Sequence, residues 1–415
     1  MPPISSLLAF AVLLPGIHGC AQHAQRSIGE YDVISQVLAR SPPPAMAKTA
    51  IRNVRVFNGD RFSAPKTILL DGGYITDRFG GIETVIDGTG QFLIPGLFDS
   101  HLHISDLSGL ENATSYGLTT VMNMACRNYA ACWPLRNQTG LASFYSAGIP
   151  ATGVNGSHAK SMNLPPSMLT YPDTNITEMV TQSFSNSSDF YKITAEVGGP
   201  TQQQQNEAVA ATHEIFHGRT MTHAAAVDAY SQAVASRTDG IQHIPDDGVL
   251  SLCTIASMKA YGIFATPTMN IFKLGYENPA ISQFLGRPNT TNMSYDNVIK
   301  NVQLLHKAGI PIVAGTDAVG VGLVPGVDIP FGRTLHDELS YLVNEGGLTP
   351  AEALRAATSE PAKWHHLEDR GTIEVGKRAD LVLLNSDPLV NISNTLDIAS
   401  VWVGGIVVEK VVKLA

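Results

Sequence analysis

The chain has 415 residues, of which 44% are hydrophobic and 15% are charged, so it can bury a full core and is too long for one small domain. Its formal net charge of -9 gives no electrostatic indication that it binds nucleic acid or an anionic membrane. The expected partner is therefore a small-molecule substrate, and the sequence leaves open whether the chain forms a homo-oligomer.

Residues 1–21 resemble a secretory signal peptide. The apolar run Leu7–Leu14 is followed by a Pro-Gly turn and small residues up to Ala21. This run is too short to span a bilayer. The residues before it lack the Lys or Arg that usually precedes such a run, so a buried N-terminal segment is the alternative. We predict that the chain is secreted or enters the secretory pathway.

Sequons and cysteines also favour export. Sequons of the form Asn-x-Ser/Thr predict a glycoprotein and stand at Asn112, Asn137, Asn155, Asn175, Asn186, Asn289, Asn292 and Asn391. Among the four cysteines, Cys126 and Cys132 are close enough to bridge a short loop in an oxidising compartment. Cys20 would leave with the signal peptide, and we expect Cys253 to be a free, buried thiol.

Between residues 92 and 367, short apolar runs alternate with longer amphipathic ones. This alternation is typical of the strands and helices of a parallel sheet. The predicted strands are residues 93–101, 119–124, 150–154, 190–194, 219–225, 240–244, 263–269 and 310–316. Eight such runs predict an α/β fold in which a closed (β/α)8 barrel, of the TIM type, spans residues 92–367.

The segments on either side of this barrel, residues 46–91 and 368–415, are rich in predicted strands. Each segment is too short to bury its apolar face alone. We therefore predict that the two chain ends pair and form one small β-sandwich domain beside the barrel.

Polar side chains stand where the predicted strands end, which is where barrel enzymes place their reactive groups. These candidates are His101, His103, Lys192, His223, His243 and Asp317. His101 and His103 are one residue apart on an extended strand end, so both rings can face one cation. Taken alone, this pair also fits two incidental histidines on a barrel rim.

Lys192 is the least expected candidate, because an ammonium among apolar neighbours on an interior strand is costly unless it is paired or modified. A carbamate formed with carbon dioxide would turn Lys192 into an oxygen ligand that bridges two metals. The alternative is an ion pair with a carboxylate such as Glu196. His223 and His243 follow successive strands and could hold a second metal, whereas Asp317 could bind the first metal and accept a proton from water.

These residues and the segments around them resemble the amidohydrolase superfamily. The similarity covers nearly everything after Ala50 and is strongest in Ile94–His103, Ala314–Asp317, Gly347–Leu354 and Gly371–Val382. The candidate ligands are similar to those of the binuclear branch, which includes imidazolonepropionase-like, Xaa-Pro dipeptidase-like and ochratoxinase-like proteins.

The resemblance implies two divalent metal ions bridged by the carbamate on Lys192. The more buried metal would also be bound by His101, His103 and Asp317. The more exposed metal would also be bound by His223 and His243. A hydroxide between the metals would attack the substrate carbonyl, and Asp317 would carry the proton to the leaving group. Zinc is the first expectation, although these ligands also accept other divalent ions.

The resemblance further implies hydrolysis of an amide-type C–N bond, as in an N-acyl amino acid, a dipeptide or a related carboxamide. Lactone or ester hydrolysis and deamination on the same scaffold are alternatives. His158 matches a glycine-histidine loop of these relatives and is a candidate substrate contact, with a solvated loop histidine as the alternative. Departures from the usual pattern at Ala224, Gln242 and residues 244–247 leave the substrate preference open.

A competing metal site is suggested by His213–His217, which matches the His-Glu-x-x-His helix of zinc metalloproteases, with His223 at the third-ligand spacing. The extended motif requires glycine where Thr220 stands, and Gly218 is expected to end the helix. The barrel interpretation explains more residues. A non-enzymatic scaffold on the same fold is a further alternative, although no ligand of the binuclear set is missing.

Overall fold

The computed structural model describes residues 46–285, 292–324 and 327–409. The predicted signal peptide, Cys20 and the sequon at Asn289 lie outside the described residues. Within these ranges, no helix combines the length and the apolar character that crossing a membrane requires.

Strands from both chain ends form one sheet of eight strands. With strands numbered along the chain, its members are β1 (Thr49–Val56), β2 (Lys66–Asp71), β3 (Tyr74–Thr76), β4 (Thr84–Asp87), β5 (Phe92–Pro95), β15 (Leu381–Leu384), β16 (Ile398–Val403) and β17 (Ile406–Val407). Their order is β17-β16-β15-β5-β1-β2-β3, and β4 pairs with β1. The two ends of the chain therefore meet where β5 pairs antiparallel with β15.

This terminal sheet has a core of its own. Ile51, Leu93, Leu381 and Trp402, from four different strands, are buried in one apolar cluster. Because each chain end contributes only part of that cluster, neither end buries its apolar side chains alone.

Two parallel sheets lie between the chain ends in sequence. One has the order β6-β7-β8 and the other β12-β11-β10-β9. Their strands are β6 (Leu97–Leu102), β7 (Leu118–Asn123), β8 (Ser143–Ser146), β9 (Tyr191–Thr194), β10 (Thr220–His223), β11 (Gly240–Gln242) and β12 (Phe264–Thr266). Isolated parallel bridges continue this sequence of neighbours, and they join Ala147 to Phe190, Ala265 to Ile312 and Leu102 to Ala318.

The apolar run predicted as one strand at residues 93–101 is divided between two sheets. β5 lies in the terminal sheet, and β6 begins the first parallel sheet. Gly96 stands between them, where a Cβ atom would lie 2.2 Å from the Thr119 Oγ1. A side chain larger than hydrogen therefore does not fit at this junction.

Two other strand predictions are wrong. The third strand of the parallel arrangement is β8 and not residues 150–154, which carry only isolated bridges. Serines stand at both ends of β8, so a pattern of continuous apolar residues does not predict it. Residues 310–316 lie beside their predicted neighbours but are joined to them through isolated bridges and not as a regular strand.

Helices connect most of the parallel strands. They are α1 (Leu107–Ser115), α2 (Tyr129–Cys132), α3 (Ser157–Ser161), α4 (Ile176–Ser185), α5 (Gln202–Phe216), α6 (Val227–Ser236), α7 (Leu252–Tyr261), α8 (Met269–Glu277), α9 (Pro279–Phe284), α10 (Tyr295–Ala308), α11 (Arg333–Asn344), α12 (Pro350–Ala356) and α13 (Ser359–Trp364). Short 3-10 helices are Trp133–Leu135, Pro166–Met168 and Ile392–Leu396, and β13 (Gly320–Val324) and β14 (Val327–Ile329) form a hairpin. Capping boxes at Thr201 and Thr349 fix the starts of α5 and α12.

The cysteines only partly follow the prediction. The disulfide between Cys126 and Cys132 is present, with a Cα–Cα distance of 6.2 Å. Cys253, which we expected to be buried, is an exposed free thiol. It lies in the first turn of α7 next to the exposed Leu252, and this end of the helix faces away from the core.

Candidate metal centre

The ends of the parallel strands open into a cavity of about 1300 Å³. Its walls include all the candidate ligands, namely His101, His103, Lys192, His223, His243 and Asp317. The carboxyl ends of neighbouring parallel strands lie at one edge of a sheet, which explains how residues so far apart in sequence meet here.

His101, His103 and Asp317 form a compact group whose ligand atoms all lie within 4.8 Å of one another. The Asp317 Oδ1 is 3.3 Å from His101 Nε2 and 3.1 Å from His103 Nε2. Burial lowers the pKa of His101 to about 4, so its ring is neutral at pH 7 and can offer a lone pair to a metal. Burial alone would raise the pKa of Asp317, but the two histidines hold it well below its usual value.

His223 and His243 form a second pair, with ring centroids 4.5 Å apart, and the His243 ring is 4.6 Å from that of His101. Burial holds the pKa of both histidines well below the usual value. The Nδ1 atom of His223 is buried and has no hydrogen-bond partner among the described residues. A buried polar atom without a partner is costly, and a bound cation would remove that cost.

Lys192 lies in β9 and is 4% exposed. Its side chain makes no hydrogen bond or ion pair within the part of the chain that the structure describes, and burial lowers its pKa to about 7. Glu196, the alternative partner, instead accepts hydrogen bonds from the Ser157 hydroxyl and from the His158 amide, the latter at 3.1 Å. The alternative of a Lys192–Glu196 ion pair is therefore wrong.

Comparison with known proteins agrees with this geometry. A model of the Amidohydrolase family matches residues 170–408, which is more than half of the chain. The chain belongs to the amidohydrolase family. Its members are typically metal-dependent, and the His-His-Asp group of this amidohydrolase is consistent with that.

Curated relatives match shorter stretches of the amidohydrolase. Imidazolonepropionase of Deinococcus deserti is 38% identical over 91 residues, which are 21% of this chain and 22% of the relative. Ochratoxinase of Aspergillus niger is 32% identical over 115 residues, or 26% of this chain and 22% of the relative. The chain thus matches about a fifth of the length of these relatives.

Solved structures resemble the amidohydrolase over most of its length. A Xaa-Pro dipeptidase with bound methionine has a TM-score of 0.74 at 21% identity and covers 87% of this chain and 99% of its own. The A. niger ochratoxinase has a TM-score of 0.70 at 18% identity and covers 87% and 95%. At such identities the likeness shows the fold alone, which is a TIM-barrel-like α/β fold.

Neighbours of the candidate ligands hold their rings in place. The Gln242 Oε1 lies 2.9 Å from His101 Nδ1, and the Thr268 Oγ1 lies 2.8 Å from His243 Nδ1. Each contact fixes a ring and directs its other nitrogen towards the cavity. The sequence shows Gln242 as a departure from the family pattern but gives no sign that it contacts a ligand, and it gives no signal for Thr268.

Backbone strain occurs at two of the candidate ligands and at one residue that contacts a ligand. His243, Thr268 and Asp317 have φ angles of 72°, 51° and 59°, in the left-handed region that residues other than glycine seldom adopt. Each such residue costs on the order of 1–3 kcal/mol and persists only where its surroundings hold it. The rest of the fold therefore stabilises this geometry.

We expect Gln242→Leu to weaken metal binding by about 10- to 100-fold, because the His101 ring loses the acceptor that orients it. Titration of the metal-free protein with Zn²⁺ in the presence of a competing chelator would measure this change. Gln303→Leu is a suitable control, since Gln303 is exposed on α10 and its side-chain amide donates to the carbonyl of Glu345, directly after α11. Equal affinity of the wild type and Gln242→Leu would show that Gln242 does not position the ligand.

His158 also faces the cavity. Its ring centroid is 4.2 Å from that of His223, and its Nδ1 is 3.1 Å from the Glu196 Oε1 without the angles of a hydrogen bond. Its role as a substrate contact stays a prediction.

The competing metalloprotease site does not form. The His213 Nε2 lies 2.7 Å from the Asp239 Oδ2, and Arg219 contacts the same carboxylate at 2.7 Å. His217 ends α5 in a left-handed conformation, while His223 lines the cavity. His213 and His217 thus lie apart from His223, and the metalloprotease interpretation is wrong.

Glu214 would be the general base of that alternative site, so Glu214→Gln should leave the activity within about twofold of the wild type, because an exposed substitution away from the cavity changes little. Steady-state kinetics on any substrate that the wild type hydrolyses would test this. Abolished turnover with an unchanged circular dichroism spectrum would restore the metalloprotease interpretation.

Proposed function

We propose that the chain is a metal-dependent hydrolase that cleaves an amide-type C–N bond, as in an N-acyl amino acid, a dipeptide or a related carboxamide. The observation that carries this proposal is the convergence of four histidines, a buried lysine and an aspartate on one cavity. Family membership and the names of the curated relatives support the same reaction class.

We also propose that the two parallel sheets and residues 310–318 close into a (β/α)8 barrel over residues 92–367. The parallel bridges at Ala147, Ala265 and Leu102 support this closure, because they connect successive neighbours around the cavity. In this proposal the terminal sheet belongs to a composite β-sandwich domain of residues 46–91 and 368–415.

The residues fit a pair of divalent cations. One cation would be held by His101, His103 and Asp317, and the other by His223 and His243, whose rings are neutral at pH 7. When bound, the cations supply Lewis acidity, which polarises a substrate carbonyl and acidifies the attacking water. Imidazole nitrogen and carboxylate oxygen suit Zn²⁺, which we propose as the metal.

Lys192 is proposed to bridge the two cations as a carbamate. Its Nζ would form a bond to the carbon of carbon dioxide and release a proton, so that a neutral amine becomes an anionic carboxylate. The burial of Lys192 without a partner supports this modification, because an isolated ammonium is costly there whereas an anion between two cations is not.

The other residues act on the proton and on the substrate. Asp317 takes a proton from the attacking water and delivers it to the leaving nitrogen, which makes it the catalytic acid and base. His158 lines the cavity and would hydrogen-bond the substrate. Apolar side chains that include Phe272 and Phe331 line other parts of the wall and would hold an apolar substrate group away from water.

The test combines metal analysis with a hydrolysis screen. Purified protein should contain about two divalent ions per chain and should hydrolyse members of a panel of N-acyl amino acids and dipeptides, and a chelator should abolish the activity. A folded, metal-free and inert protein would favour the scaffold interpretation. Turnover of the lactones or esters in the same panel, without turnover of any amide, would contradict the proposed bond type.

We propose in addition that the chain follows the secretory route. Within the described part of the chain, sequon asparagines stand exposed at Asn137, Asn155, Asn175, Asn186, Asn292 and Asn391. The Cys126–Cys132 disulfide supports the same route, since disulfides persist in oxidising compartments.

A further inference from the structure

The wall of the cavity carries a cation that the proposed mechanism does not use. Arg127 lies exposed in the loop between β7 and α2, and its guanidinium donates a hydrogen bond to the carbonyl oxygen of Met162. That contact leaves most of the five N–H donors of the guanidinium free. Among the described residues, no carboxylate forms an ion pair with Arg127.

The acidic side chains of the same wall already have other partners. Asp106 caps α1 by accepting from the Gly109 amide at 2.8 Å. Glu196 accepts from the His158 amide, and Asp247 accepts from a backbone amide at the start of α6 at 2.9 Å. Arg127 therefore remains available to an anion that enters the cavity.

The backbone on both sides of Arg127 is held in place. The disulfide joins Cys126, immediately before Arg127, to Cys132, and the Cys126 amide donates to the Gly148 carbonyl at 3.2 Å. Asn128, immediately after Arg127, caps α2 through the Ala130 amide at 3.1 Å. Because the disulfide and these hydrogen bonds already hold the loop, binding of an anion to Arg127 costs little backbone conformational entropy.

Other parts of the wall are apolar and come from later loops. Ile271 and Phe272 lie in α8, and Val319 and Phe331 flank the β13–β14 hairpin. A ligand that spans the cavity thus meets a guanidinium on one loop and apolar surface on others. This combination fits an amphiphilic anion better than a neutral or cationic molecule.

We propose that the substrate carries a carboxylate and that Arg127 is the residue that binds it, with an apolar group of the substrate against Phe272 and Phe331. This inference rests on the proposed function, whose substrate class it narrows to N-acyl amino acids and similar anionic amides. Arginine suits this role because its planar guanidinium binds a carboxylate through two parallel hydrogen bonds.

The test uses two ligands that contain no hydrolysable bond, 4-oxo-4-phenylbutanoate and its neutral analogue 1-phenylpentane-1,4-dione. Calorimetric titration of the metal-loaded wild type should show about 10-fold tighter binding of the carboxylate. In Arg127→Gln, the affinity for the carboxylate should fall by about 10-fold, while the affinity for the dione should not change. The unchanged dione affinity also shows that the variant is folded.

Lys160→Gln serves as the matched control, because Lys160 is exposed in the neighbouring helix α3 but does not line the cavity. It should keep the preference for the carboxylate. The inference is wrong if the wild type binds both ligands equally or binds neither, or if Arg127→Gln keeps the preference. Loss of the preference in Lys160→Gln as well would also overturn it, since general electrostatic attraction would then suffice.

Hydrolysis of N-benzoylglycine by the same preparations separates this inference from the proposed function. If the wild type shows the Arg127-dependent preference but hydrolyses neither N-benzoylglycine nor any amide of the panel described above, the proposed function fails and the binding site stands. If it hydrolyses N-benzoylglycine without that preference, the proposed function stands and the role of Arg127 is refuted.

Discussion

Lys192→Ala is expected to lose most of its bound metal, and its activity should fall by about 10³-fold or more. In the proposed centre, the substitution removes the anionic bridge between the two cations, and metal ions supply several kcal/mol of transition-state stabilisation. At 1.36 kcal/mol per factor of ten, the loss of about 4 kcal/mol corresponds to ~10³-fold. Elemental analysis and steady-state kinetics on the same preparation would measure both effects.

Rescue and matched variants separate the bridge from a structural role of Lys192. Acetate or formate should restore part of the metal content and the activity of Lys192→Ala by supplying the missing carboxylate. Lys192→Met should leave the metal-free protein at least as stable as the wild type in thermal melting, because the buried amine has no hydrogen-bond partner to lose among the described residues. Full activity of Lys192→Ala would exclude the bridging role, and Lys160→Ala is the control for removing an exposed lysine.

Asp317→Asn is expected to reduce kcat by about 10³-fold, because an amide of the same shape cannot accept the proton from the attacking water. The two histidines at 3.3 Å and 3.1 Å hold the pKa of Asp317 well below its usual value, so the carboxylate is ionised throughout the neutral range. Protonation of Asp317 should therefore lower the wild-type rate only at acidic pH, and it should not change the rate near neutral pH. The KM should change much less than kcat, since Asp317 acts mainly in the transition state.

The metal content of Asp317→Asn distinguishes a role of Asp317 in proton transfer from a role in metal binding. If Asp317→Asn keeps its metal and loses kcat, the proton-transfer role is supported, whereas parallel loss of metal and activity would assign Asp317 to metal binding alone. Asp173→Asn, an exposed substitution on a loop, should behave as the wild type. A kcat of Asp317→Asn within tenfold of the wild type would contradict both roles.

The candidate ligands could be predicted from the sequence because polar side chains directly after apolar runs are an unusual pattern. His223 and Lys192 stand on short, mostly buried strands, and they come to the same cavity because β9 and β10 are parallel neighbours. The pairing of the two chain ends could be predicted for a separate reason, since neither end has enough apolar surface to fold alone.

Other features depend on contacts that no local pattern records. Gln242 and His101 are 141 positions apart, so their contact exists only once the parallel sheets have assembled. The left-handed conformations of His243 and Asp317 are imposed by the surrounding fold against local preference. β8 could not be predicted for a different reason, because serines at both of its ends interrupt the apolar pattern.

The junction at Gly96 has a consequence for biosynthesis. The strand that presents His101 begins directly after β5, and β5 pairs with β15, with Pro95 opposite Leu381. The Gly96 amide also donates to the Asp380 carbonyl at 2.8 Å. On the ribosome, His101 is made long before the residues that anchor its strand. We therefore expect nascent chains released before β15 to remain unable to retain metal, so that loading with metal follows completion of synthesis.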